Sequence, residues 1–148
     1  MKKYPVLYSL LSVVLLVLAV TLLDSCKGDD DPSPADKNKE IISSGTWKIG
    51  NVTVGGVDQT NLFTGFTLQF TSAGTYTSAN GSPVWSASGT WSFKDKTGLL
   101  VVRDDGKEVT VNTITTTSLV LTMNWDKTTL GSGRISSVAG EHVFTFTR

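Results

Sequence analysis

The chain has 148 residues, with 13 Lys and Arg against 13 Asp and Glu and a formal net charge of zero. That balance excludes the electrostatic pull toward nucleic acid that a basic protein would have. One cysteine and one histidine exclude an internal disulfide framework, a thiolate cluster and any metal site that needs two imidazoles.

Lys2 and Lys3 open the chain, and Val6 to Leu23 form an apolar run of 18 residues interrupted by Ser9, Ser12 and Thr21. A charged start before an apolar core is the pattern of a secretory signal. The run is also long enough to cross a bilayer as an uncleaved helix. Leu22-Leu23-Asp24-Ser25-Cys26 follows, with Leu23 three residues before Cys26 and the small Ser25 directly before it. This stretch resembles the bacterial lipoprotein signal, or lipobox. The resemblance implies that residues 1–25 are a signal peptide, that the Cys26 thiol receives a diacylglyceryl group, and that Cys26 becomes the N-terminus. The mature chain would then count 11 basic against 12 acidic residues. Its acyl chains, at about 0.8 kcal/mol per buried methylene, would hold it on a membrane without any peptide contact.

Lys27, Asp29, Asp30 and Asp31 come next. They resemble the surface-export signal of lipoproteins of the Bacteroidetes phylum, which implies an outer-membrane lipoprotein facing the cell surface. An acidic run is also the composition of an ordinary solvated linker. Residues 26–42 are expected to be a flexible acidic tether. Asp29 to Lys39 contains Pro32, Pro34 and several charges, with Ala35 as its one apolar residue. Such a segment buries too little surface to offset the entropy of ordering it. Glu40-Ile41-Ile42 is expected to begin a short turn that docks on the domain.

From residue 43 the pattern becomes period-two alternation broken by Gly, Asn, Asp and Ser. Trp47 and Ile49 share one face, as do Phe66, Leu68 and Phe70. Tyr76 stands between threonines, and Trp91 alternates with Phe93. Leu119, Leu121, Met123 and Trp125 form the clearest inward face, and His142, Phe144, Phe146 and Arg148 the last one. No segment shows helical periodicity. The fold class expected for residues 43–148 is all-β, about eight antiparallel strands closed into a barrel, with a two-sheet sandwich as the alternative. The repeated Gly45-Thr46-Trp47, Gly74-Thr75-Tyr76 and Gly89-Thr90-Trp91 reads as shared strand-entry chemistry, not as a duplication.

Ser44-Gly45-Thr46-Trp47-Lys48 resembles the G-x-W first strand of the lipocalin superfamily. Gly89 to Phe93, Ser118 to Met123 and Glu141 to Phe146 are similar to lipocalin-like lipoproteins of Bacteroidetes. The resemblance covers residues 43–148 and implies that Arg148 packs on Trp47 to close the barrel.

An aromatic-rich interior can be a ligand cavity or simply a filled core. Candidate ligand-binding residues are Tyr76, Trp85, Trp125 and Arg134. Trp85 lies in the turn-like Ala79 to Ser86 stretch beside Pro83; it either stacks on a sugar or partner, or covers the barrel end. Arg134 lies in the long Asp126 to Gly140 connection, where it could pair with an anionic ligand or with Asp126. His142 has no apparent nucleophile to serve, and Asp104-Asp105-Gly106 reads as a turn. No catalytic residue, metal ligand or cofactor is therefore expected. The reading is a lipid-anchored, non-catalytic binding protein that holds a small apolar or sugar-like ligand. The alternative is an accessory lipoprotein of a surface complex, or an inhibitor-type barrel, with a packed lumen. Lumen volume separates the two.

Overall fold

The structure, a computed structural model, describes residues 31–131 and 134–148 and, for 129–131 and 134–136, the backbone alone. Cys26, Lys27, Asp29 and Asp30 lie outside the described residues; Asp31 is exposed. The chain divides into Met1–Asp31 and Pro32–Arg148, and the second unit carries the fold.

Eight antiparallel strands close into a barrel: β1 (Thr46–Val54), β3 (Thr67–Phe70), β4 (Thr75–Ala79), β5 (Ser88–Phe93), β6 (Leu100–Arg103), β7 (Glu108–Ile114), β8 (Ser118–Trp125) and β11 (Gly140–Thr147). Sequential neighbours pair from β3 to β8, β8 pairs with β11, and β11 returns to β1. The closing pair runs from Lys48–Thr147 to Val54–His142, with a register shift between Ile49 and Asn51. That bulge moves the inward face from Trp47 to Val52 and Val54 and bends the strand, which closure requires. β2 (Val57–Asp58) adds to the outer half of β1. A 3₁₀ turn, Thr60–Phe63, follows it.

Two expectations need correction. The tether is not irregular throughout, and a helix is present: Pro34–Ile42 forms α1. Its start is a capping box, with the Ser33 hydroxyl accepting from the Asp36 amide and the Asp36 carboxylate accepting from the Ser33 amide. Pro34 sits where a missing N–H costs nothing. Composition pointed to disorder because α1 buries only Ile42; the docking contacts described below supply the rest. Second, the Asp126 to Gly140 connection is not a plain loop, since β9 (Thr129–Gly131) and β10 (Arg134–Ser137) pair as a hairpin.

Candidate functional site

The interior of the barrel is filled. Trp47, Phe66, Phe70, Tyr76, Phe144 and Phe146 are all at most 1% exposed, joined by Phe63 and Trp85. Their rings interlock edge to face, with Phe63 and Phe144 centroids 5.3 Å apart, Phe66 and Phe146 5.3 Å and Phe70 and Trp91 5.1 Å. Aromatics that each bury about 150–250 Å² account for most of the space inside a barrel of eight strands.

Each end is closed by a different device. At the end where β1 begins and β11 finishes, α1 lies across the opening. The Asn38 side-chain amide donates to the carbonyls of Thr97 and Gly98, and the Ala35 amide donates to Lys96. Gly98, at φ +68°, permits this contact, since a Cβ there would stand 2.8 Å from the Ala35 backbone. The Trp47 indole donates to the Ile42 carbonyl at 2.8 Å, and Arg148 donates to Ile41 at 2.6 Å. The Arg148 guanidinium lies 4.1 Å from the Trp47 ring centre. This is the packing that the sequence resemblance implies for the pair.

At the other end the β4–β5 connection folds inward and inserts Trp85. The indole is wholly buried, so of its two readings the cover for the barrel end fits and the exposed stacking platform does not. Gly81 makes room: a Cβ there would meet Phe66 at 2.6 Å and Trp85 at 2.8 Å. The insertion is held by Arg103, itself only 3% exposed. Its guanidinium lies 4.5 Å from the Trp85 ring centre, donates to the Val84 carbonyl at 2.9 Å and pairs with Asp105 at 2.6 Å. A buried guanidinium is tolerable only with such partners.

The other predicted residues fall as follows. Tyr76 is 1% exposed, and burial raises its pKa, with Arg103 pulling it down and Asp104 pushing it up. It is therefore a neutral core phenol. Trp125 is half-buried at the end of β8, under the Lys107 ammonium at 5.5 Å. The backbone of Arg134 lies in β10. Asp126, its suggested partner, pairs with Lys107 at 3.1 Å, and that bond first of all lowers its pKa. Tyr76, Trp85 and Trp125 thus belong to the core and its rim and do not converge on a cavity. Among the described residues, no group of three or more His, Cys, Asp or Glu is arranged to hold a metal.

Open space lies outside the barrel. A groove of about 320 Å³ runs between the first turns of α1 and the end of β5. Ser33, Ala35, Asp36 and Lys39 form one wall, and Trp91, Ser92, Phe93, Asp95 and Lys96 form the floor and the other wall. Sequence reasoning passed over it because a segment read as flexible supplies half of it. The signal was present in Ser33-Pro34-Ala35-Asp36, a capping-box pattern. Arg103 was legible too, since it shares strand parity with inward Val101.

Compared with known proteins, the chain matches no family model and no curated sequence.

Proposed function

We propose that this is a lipid-anchored, surface-displayed, non-catalytic binding module with a lipocalin-like barrel that meets its ligand or partner on its outer surface. The observation that carries this reading is the filled interior: Trp85 and the aromatic core occupy the space that a lumen ligand would need. The groove beside α1 supports it, because that groove is open to solvent and lies on the unit that follows the proposed anchor at Cys26. The catalytic alternative lacks support. His142 is wholly buried, and its neighbours are the Phe63 and Phe144 rings.

Two measurements test the reading. Cys26→Ala is expected to move the protein from the detergent to the aqueous phase in phase separation; unchanged partitioning would refute the lipid anchor. In thermal-shift titrations, fatty acids, bile salts and haem are expected to leave Tm unchanged. Ligand that binds the folded state raises stability by mass action wherever it sits, so a saturable rise with any of them, accompanied by amide shifts centred on Phe66, Trp85 and Phe144, would refute the filled interior.

A further inference from the structure

The groove between α1 and β5 is not explained by the closure of the barrel. We propose that it binds a neutral saccharide ring, seated on the half-buried Phe93 ring and hydrogen-bonded by the charged side chains around it. The inference rests on the reading of this chain as a module that binds from its outer surface.

Size comes first. At about 320 Å³ the groove stands at the lower end of the range for small-molecule sites, fit for one or two sugar rings. Charge then selects the class. Asp36 and Asp95 face the groove together with Lys39 and Lys96, so the local charge is balanced. An anion would meet two carboxylates and a cation two ammonium groups. A neutral polyol can donate to the first pair and accept from the second.

The carboxylates are held in place beforehand. Asp36 accepts from the Ser33 hydroxyl and amide, and Asp95 from the Thr97 hydroxyl and the Gly98 amide. These bonds lower both pKa values, so each group is an ionised acceptor at neutral pH with lone pairs to spare. Among the described residues, no salt bridge ties up Lys39 or Lys96. Fixed acceptors reduce the ordering cost of binding. The floor supplies the apolar half of the contact: Phe93 is half-buried and is braced by the buried Trp91, whose ring lies 5.1 Å away and nearly perpendicular. The C–H face of a sugar packs on the π face of such a ring. An acyl chain would strip water from four charged groups and return no hydrogen bond.

The test is a titration of the detergent-solubilised full chain, in a detergent without a sugar headgroup. The probes are glucose, galactose, N-acetylglucosamine, maltose and cellobiose, with glucuronate as the charged comparison, and binding is followed by tryptophan fluorescence and amide NMR. The expected result is saturable millimolar binding with shifts confined to α1 and β5. Lys96→Met should weaken it about tenfold, as the loss of one charge-assisted hydrogen bond would. Phe93→Leu keeps apolar bulk at this half-buried position but removes the ring face, and should weaken binding severalfold while leaving the far-UV circular dichroism unchanged. Tighter binding of glucuronate than of glucose would overturn the ligand class. Binding that both variants leave unchanged, or no binding at tens of millimolar, would overturn the site while leaving the anchored module standing. Shifts centred on Trp85 would overturn this inference and the filled interior together.

Discussion

Replacing Trp85 with alanine probes the feature on which the functional reading depends. The indole is 0% exposed and packs among Phe66, Phe70, Tyr76 and Phe144 at centroid distances between 5.7 and 6.4 Å. Removing about 200 Å² of buried surface at about 25 cal/mol per Å² corresponds to about 5 kcal/mol, and buried Trp→Ala changes cost about 3–5 kcal/mol. The cation–π contact with Arg103 adds about 1–2 kcal/mol where it is desolvated. Part of this is recovered if the β4–β5 connection collapses inward, so the expected loss is about 4 kcal/mol. Against a total stability of about 5–15 kcal/mol for a domain, the variant should be close to its unfolding threshold. Urea unfolding followed by far-UV circular dichroism reads this directly, provided the slope with denaturant is unchanged. A loss below about 1 kcal/mol, the range of surface substitutions, would mean that Trp85 spends its time outside the barrel. The filled interior would then fail.

Three other outcomes are expected. His142 is wholly buried, and burial lowers its pKa despite the 3.0 Å contact of Nδ1 with the Gly140 carbonyl. The unfolded chain therefore takes up the proton first. This contribution is complete above about pH 6.5 and is lost as pH falls below it, at no more than about 1.4 kcal/mol per pH unit. The hydrogen-bonded carboxylates of Asp36, Asp58, Asp95 and Asp126, whose pKa values are lowered, lose theirs only below the usual carboxylate range. Urea unfolding between about pH 7.5 and 5 should thus slope in the wild type and be flat in His142→Phe; equal slopes would refute the assignment. Gly98→Ala places a Cβ against the Ala35 backbone and Asn38 and should cost about 1–3 kcal/mol while speeding proteolysis within α1. Gly106→Ala, at φ +76° with nothing within 4 Å, should cost about 1 kcal/mol and leave α1 protected; the same cleavage rate in both would show that α1 does not depend on this contact. Replacing Asp29, Asp30 and Asp31 with alanine should reduce protease accessibility on whole cells, and unchanged accessibility would make the acidic run a linker only.

The strand faces were legible because a half-buried strand must alternate. Leu119, Leu121 and Met123 point inward as their period of two dictates, and the turn at Asp104-Asp105-Gly106 follows from its residues. Length and alternation together carried the antiparallel all-β sheet; they left open whether the sheet closed on itself or folded into a sandwich. That was decided by the β1–β11 pairing, which joins residues about a hundred positions apart and depends on the bulge after Ile49.

Local pattern was also blind to what fills the barrel. A tryptophan near a proline in a turn-like stretch reads either as an exposed platform or as a cover for the barrel end; that Trp85 turns inward depends on Gly81 leaving room and on Arg103, 18 positions downstream, holding Val84. The same holds at the opposite end. The Ser33 capping box is written in four consecutive residues, but α1 persists because its Asn38 and Ile42 find Gly98 and Trp47. The sequence by itself determined the elements whose stability is local or periodic: the alternating strands, their tight turns and the cap of the helix. Only the tertiary structure decided closure, the plug and the groove, because each is made by residues that meet across the fold and carry no periodic mark of the meeting.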